Sequence, residues 1–459
     1  MCMQARKSCS TPVRCAHWDR DSNRWPTISS ISLSPRTCPN PPASPGPCAA
    51  SIMPGNRPIR LLFLAFGYSI HAHRRVQVFA SDPGFKVHLV SDHAYEIENV
   101  EVTRLDGPAG LVRAKRHLAP FANAVTAFLR KRHVDKISAE LFREMTTQLM
   151  AYRQLLRAVR RFRPDAVFQQ TLLYPSYLGC LLPPEIPRFI TFWNGDLVWW
   201  AQQNEILKRF KHDIVETGIR QAVAVTVNSG AAREAALGYG IAPERLHVIR
   251  YPGVDLAHFT PDGRDEARQK LGLGSGPVVL CPRGLGGYLN SDVLMEAACA
   301  LCKVMPDVTF LFVSGVGRHL WDDLMRMPTA LGLARNFRHD GHIPWDSMPD
   351  YHRAADIMVS PSSNDSQPNC MLEAMACGTA VVMGDIPSIR EWVSHGRNGL
   401  LAPPRDPAAL AAGMLTLLRN PRQRQAFAAM NLRILRDRVD SVRQCAEVRG
   451  MVRNTLQQQ

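Results

Sequence analysis

Short apolar runs closed by Gly, Pro, Ser or Asn recur along this chain, and stretches with an apolar residue every three or four positions lie between them. The short runs have the continuity of strands buried on both faces, and the spaced stretches have the period of amphipathic helices. Ile59 to Phe66 reads as a first strand, Gly67-Tyr68-Ser69 as its closing loop, His71 to Ala80 as a helix and Phe85 to Ser91 as the next strand. Further strands are predicted at Pro164–Phe168, Phe189–Phe192, Val223–Val227 and Leu246–Tyr251. After a break containing Pro252-Gly253 and Pro261, others follow at Val278–Leu280, Thr309–Val313, Phe337–Ile343, Ile357–Val359 and Ala380–Met383. Helical spacing covers Leu111–Arg163, Pro349–Asp356 and Leu410–Arg453. Strands alternating with helices predict an α/β fold of doubly wound sheets, with ligands held past the carboxyl ends of strands. At 459 residues the chain exceeds one ordinary core, so two such domains are expected.

The richest chemistry lies between Val359 and Val382. Pro361 to Pro368 is a loop of Pro, Ser, Asn and Asp, whose side chains bond their own backbone. Asn369 opens a helix in which Met371, Leu372 and Met375 are spaced for burial, and Gly378 is placed as its left-handed stop. Asp365 lies on the loop and Glu373 one turn into the helix. A helix N-terminus carries unpaired N–H groups and partial positive charge, a seat for phosphate. Carboxylates beside that seat would repel a second phosphate but accept from hydroxyls. Phosphate and hydroxyls together describe a sugar nucleotide.

The same stretch resembles the signature of the family 4 retaining, nucleotide-sugar-dependent glycosyltransferases. These have the GT-B fold, two Rossmann-like domains facing a central cleft. Their pattern, an acid, seven residues and Glu-Ala-Met-Ala-x-Gly, stands here as Asp365, seven residues and Glu373-Ala374-Met375-Ala376-Cys377-Gly378. The first acid is more often Glu in the family, so Asp365 is one methylene short. The resemblance implies that Glu373 holds the ribose hydroxyls and Asp365 the donor sugar, with Ser366, Gln367, Pro368, Asn369, Cys370 and Met371 completing the donor seat. It also implies that Arg283, after the Val278–Leu280 strand, meets the diphosphate, for which a guanidinium fork is suited. The Lys that follows in the family is replaced by Tyr288-Leu289-Asn290. Gly67 and Gly315, each in a turn after a strand, are the places where backbone comes close to the donor. His71, His73 and Asp196 are acceptor-side candidates; an ordinary solvated helix residue is the rival reading for each histidine.

By the same resemblance, residues 53–262 form the acceptor-side domain and 263–440 the nucleotide-sugar domain, with 441–459 a helix crossing back to the first. Residues 1–52 lack apolar periodicity and read as a disordered or spurious extension ahead of Met53, with an organellar transit peptide as the rival.

Composition narrows the setting. No apolar run approaches a membrane span, which excludes an integral membrane protein, and 46% hydrophobic with 21% charged residues are globular values. The net charge of +15 calls for an anionic partner. Between Leu111 and Arg163, Arg and Lys interleave with Phe and Leu, which suits either anionic lipid headgroups or a solvated helical face; nothing matches a nucleic-acid module. The scattered cysteines beyond residue 52 read as reduced core residues, so a cytoplasmic protein is expected, peripheral on the inner membrane face if the basic run binds lipid.

The functional expectation is a retaining glycosyltransferase moving a sugar from a UDP- or GDP-linked donor to a glycan or lipid-linked acceptor, in cell-surface polysaccharide or glycolipid synthesis. Arg283 and the helix N-terminus stand where other enzymes use a divalent ion, so no metal and no cofactor are expected. The alternatives are a nucleotide-sugar epimerase or hydrolase of the same fold and a non-catalytic membrane-associated scaffold.

Overall fold

A computed structural model of the chain describes residues 57–65, 70–105, 136–171, 176–192, 216–238 and 240–459, with side chains for all of these except 70, 71 and 136–148. The 1–52 segment, Gly67, Asp196 and the start of the basic run lie outside the described residues.

Two parallel sheets organise the rest. The first contains β1 (Ile59–Ala65), β2 (Phe85–Ser91), β3 (Glu101–Arg104), β4 (Ala166–Gln169), β5 (Arg188–Thr191), β6 (Ala224–Val227) and β7 (Leu246–Val248), in the order β3-β2-β1-β4-β5-β6-β7. The second contains β8 (Val278–Cys281), β9 (Thr309–Phe312), β10 (Phe337–His339), β11 (Ile357–Ser360), β12 (Ala380–Gly384) and β13 (Leu400–Ala402), in the order β10-β9-β8-β11-β12-β13. Central strands fix the register: Leu61 lies opposite both Val87 and Ala166, and Ile357 opposite both Val279 and Ala380. In each sheet the chain winds outward to one edge and then returns to the middle. The crevices therefore open between β1 and β4 and between β8 and β11, at the carboxyl ends.

Alternate residues of each strand feed opposite cores. Leu61 and Phe63 face the helices Ile70–Ala80 and Ser441–Gln457 through Phe79, Val448 and Val452, while Leu62 and Leu64 face Leu155 and Phe162 of the helix Lys136–Phe162. In the second sheet Val279 and Phe310 meet the helices Ser291–Val304 and Pro407–Arg419, and Met358 and Val381 meet Asn369–Ala376. Burial on both faces explains why the strands read as unbroken apolar runs, each buried Leu or Phe contributing about 1.5–3 kcal/mol.

Some elements differ from the sequence reading. The strands begun at Leu246 and Phe337 stop at Val248 and His339. The strand β3 was not foreseen, because Glu101-Val102-Thr103-Arg104 is a half-exposed edge with no apolar run. The helical stretch from Leu410 is three helices, Pro407–Arg419, Pro421–Arg438 and Ser441–Gln457. Pro421 has no N–H to continue the first, and the Asn420 and Asp440 side chains cap the next two by accepting from Gln423 N at 3.0 Å and Arg443 N at 3.1 Å. At that second break the chain passes its own earlier crossing: Val254 N donates to Val439 O at 3.0 Å, and Ser441 N to Val254 O at 3.1 Å. No helix among the described residues is long and apolar enough to cross a membrane.

Candidate active site

The crevice between β8 and β11 collects the second sheet's candidate chemistry. Arg283 leaves β8, and the Pro361–Pro368 loop leaves β11 and runs into the helix Asn369–Ala376. Two bonds tie these loops together: Asn290 Nδ2 donates to Pro361 O at 2.8 Å, and Ser363 N donates to Tyr288 O at 2.8 Å. The loop also supports itself. Ser366 N donates to Asp365 Oδ1 at 2.8 Å, and Ser388 Oγ donates to Asp365 O at 2.6 Å. Pro368 stands at the N-cap, where its ring offers no acceptor to the helix N–H groups. The helix ends at Gly378, whose φ of +73° is the predicted left-handed stop.

Arg283 and Asp365 form an ion pair, Nη2 to Oδ2, at 2.7 Å. Burial pulls the guanidinium pKa down, but Asp365 and then Cys370 outweigh it and hold Arg283 above its ordinary value. The cation is thus permanent, and its Nη1 reaches Cys370 Sγ at 3.9 Å on the first turn of the helix. Burial pushes the Cys370 thiol up to about 11, so it sits there neutral.

Glu373 is buried, and a different set of groups faces it. Its Oε1 lies 3.5 Å from Arg74 Nη1 of the helix Ile70–Ala80, and its Oε2 lies 3.9 Å from His352 Nε2. The second contact is no ion pair, since burial alone pulls His352 down to about 3 and leaves the imidazole neutral. Burial also pushes the Glu373 carboxyl up; Arg74 and the Trp345 indole work against that shift. Trp345 stacks on His258 with centroids 4.1 Å apart, and the Arg74 guanidinium covers a Trp345 ring at 4.8 Å.

The first half reaches this region at two further points. Ser229 caps the helix Gly230–Leu237, and its Oγ lies 2.9 Å from Ser366 Oγ, which also donates to Asn228 Oδ1. Glu391 Oε1 accepts from Ala231 N at 3.0 Å, and its Oε2 pairs with Arg250 Nη2 at 3.3 Å. A carboxylate at a helix N-terminus is favoured by the helix dipole.

The structure therefore brings Arg283, Asp365, Ser366 and Cys370 together, with Glu373 in electrostatic reach of Cys370 and paired to Arg74. Gln367 is buried, with no hydrogen-bond partner for Oε1 among the described residues. Gly315 is exposed in the turn after β9, where a Cβ would meet His342 at 3.3 Å. Met371 is fully buried beside Met358 and Met375, and its N–H donates to Pro368 O at 3.0 Å. His73 is half-buried with its ring 6.5 Å from Tyr95. His71 lies on the same helix, its side chain outside the described set. The sequence reading missed Arg74, Asn228, Ser229, His352 and Glu391. For Ser229 a signal existed, since Asn228-Ser229-Gly230 after an apolar run reads as a helix N-cap.

Two doubly wound parallel sheets with chemistry at their switch points define a GT-B protein. Matches to family models agree, one on each half: Glycosyltransferase Family 4 over residues 67–258, and Glycosyl transferases group 1 over residues 276–420. The chain belongs to the family 4, group 1 glycosyltransferases. It is similar to the D-inositol 3-phosphate glycosyltransferase of Thermomonospora curvata, 34% identical over 229 residues, or 47% of this chain and 52% of that protein. The corresponding protein of Geodermatophilus obscurus is 36% identical over 195 residues, 41% of this chain and 43% of its own. The chain thus spans about half the length of these relatives. Among solved structures, sucrose-phosphate synthase from Thermosynechococcus elongatus superposes with a TM-score of 0.68 at 18% identity, covering 87% of this chain and all (100%) of that one. Anabaena HepE in complex with UDP-glucose gives 0.65 at 18% identity over 86% and 100%. These two share the fold.

Proposed function

We propose that this chain is a retaining glycosyltransferase that moves a sugar from a UDP- or GDP-linked donor to a glycan or lipid-linked acceptor. The observation that carries the reading is the meeting of Arg283, Asp365 and the start of the Asn369–Ala376 helix at the β8/β11 switch point, with Glu373 one turn further on. Departure of the nucleoside diphosphate builds negative charge on the bridging oxygen. Arg283, held charged, and the first-turn amides would stabilise that oxygen, a contribution of a few kcal/mol in a water-poor site. With those two groups in place the reaction would need no metal, and turnover in excess EDTA should be unchanged. Glu373 would hold the ribose and Asp365 the sugar. The relatives' names include D-inositol 3-phosphate, and HepE is solved with UDP-glucose, so UDP-glucose is the first donor to test.

Membrane association belongs to the same reading. The described end of the Lys136–Phe162 helix exposes Leu149 and Met150 beside Arg153, Arg157, Arg160 and Arg161, a basic face with apolar residues suited to anionic headgroups. Such a surface fits a lipid-linked acceptor and a role in cell-surface polysaccharide or glycolipid synthesis. A chain beginning at Met53 would keep the whole machinery and should melt at the midpoint of the full chain.

Titration with free UDP and GDP tests the roles of the two acids. Glu373→Gln should weaken nucleotide and nucleotide-sugar binding alike, by about 1.5–3 kcal/mol for a charged hydrogen bond. Asp365→Asn should keep the affinity for free nucleotide and lose turnover, as expected of a contact that matters most in the transition state. Equal losses of nucleotide affinity in both would refute the assignment.

A further inference from the structure

Arg74 gains little from its own helix. It is the fifth of eleven residues in Ile70–Ala80, a helix with no acid in its first turn to pair with it. It reaches into the other half of the chain, to the Glu373 carboxylate at 3.5 Å and the face of Trp345 at 4.8 Å. Both Arg74 and Glu373 are mostly buried, with side chains 16% and 10% exposed, so the pair is poorly screened by solvent. The other carboxylate oxygen faces the neutral His352. On the side of Glu373 that Arg74 holds, a ribose hydroxyl and the guanidinium would seek the same oxygen. A planar ligand group meeting that face of Trp345 would likewise meet the guanidinium first, because His258 stacks on the indole at 4.1 Å.

We propose that Arg74 is a competitor at the nucleoside seat: it occupies Glu373 and the Trp345 face, and a donor nucleotide binds by displacing it. The inference rests on the reading of Glu373 as the ribose-holding acid. Displacement then acts as a filter. A nucleotide that offers both a hydroxyl pair for Glu373 and a flat base for Trp345 replaces both contacts of Arg74. A sugar phosphate without a base replaces neither. Removing Arg74 should therefore tighten the binding of a nucleotide, which has to displace it, and leave a sugar phosphate, which has neither ribose nor base, unchanged.

The experiment combines a ligand-free measurement with a binding measurement on the full chain. Melting midpoints of Arg74→Ala, Glu373→Gln and the double variant report the pair without any nucleotide. Directly bonded groups should give shifts that do not add. Calorimetric titration of the wild type, Arg74→Ala and Arg74→Lys with UDP and with glucose 1-phosphate then reports competition. Arg74→Ala should bind UDP roughly tenfold more tightly, the gain when a contact populated about nine-tenths of the time is removed. Arg74→Lys, which keeps the charge but not the planar cover, should fall between the two. Additive melting shifts would overturn the inference, as would UDP affinity that is unchanged or weaker in Arg74→Ala while the wild type binds UDP. If neither UDP nor GDP binds the wild type or Arg74→Ala, the nucleotide-sugar reading itself fails and takes this inference with it.

Discussion

His352 should make the protein acid-sensitive in a window set by burial alone. Its imidazole is fully buried, with neither ring nitrogen partnered among the described residues; Phe259 lies at 6.0 Å and Glu373 Oε2 at 3.9 Å. Its pKa falls from 6.5 to about 3. Because the folded value is the depressed one, the stability that His352 lends is present above its unfolded pKa. It is lost as the pH falls from about 6.5 towards about 3. One proton gives a slope of about 1.4 kcal/mol per pH unit, so the full window is worth at most about 5 kcal/mol, less what Glu373 returns by facing the new cation. Urea unfolding of the wild type and His352→Phe, in steps from about pH 7 to about pH 4, isolates this effect from any change in packing, because only the slope is compared. The Glu373 carboxyl, raised by burial, contributes in the opposite sense, losing stability as the pH rises through its folded value, and it is present in both proteins. The wild type should lose stability more steeply than the variant below about pH 6, by up to about 1.4 kcal/mol per unit. Parallel curves would refute the claim that a neutral imidazole is locked behind Glu373.

Three other expectations follow from specific contacts. Asp356 holds Arg264 and Arg268 at 2.9 Å and Arg424 at 3.1 Å and also accepts from Val278 N, so Asp356→Asn leaves three guanidinium groups without their counter-charge. Its unfolding free energy should fall by about 3 kcal/mol, discounted for partial exposure, with the urea m-value unchanged. Gly317 has φ +73°, and a Cβ there would stand 2.3 Å from Leu285 O. Gly317→Ala should therefore displace the loop beside Arg283 and weaken UDP-glucose binding by at least about tenfold, read by titration. Charge reversal at Arg153, Arg157 and Arg160 should abolish salt-sensitive sedimentation with phosphatidylserine vesicles, since each basic residue near such a surface contributes about 1 kcal/mol; unchanged binding would remove the membrane hypothesis.

What could be read from the chain alone follows the distance over which its chemistry is spread. The Asn369 start, the Gly378 stop and the Asp365/Glu373 spacing sit in one continuous stretch, so local turn chemistry and one helix period were enough; Arg283, after β8, was marked only by the family resemblance. Arg74 and Ser229 are far from that stretch in sequence and reach it only because the two halves pack against one another, while His352, on the helix just before β11, carries no mark that its ring turns to Glu373. Arg74 beside Arg75 in the Ile70–Ala80 helix carries no mark that one of them crosses to an acid of the other half. The burial of Met371 was hidden for a related reason. The Asn369–Ala376 helix is buried from Met371 onward, so its period shows no polar face to separate ligand contacts from core. The edge strand β3 was missed because half-exposed strands carry no apolar run.

The central claim is that the β8/β11 switch point drives departure of a nucleoside diphosphate with retention at the sugar carbon. The most direct measurement is nuclear magnetic resonance of the full chain with UDP-glucose, then with other UDP- and GDP-sugars, in the presence of glycan and lipid-linked acceptors. The account predicts nucleoside diphosphate released in step with a new glycoside that keeps the α configuration of the donor, and no release by Asp365→Asn. An inverted β product would contradict it, as would an isomerised nucleotide sugar formed without acceptor, or no turnover of any donor by a folded, nucleotide-binding protein.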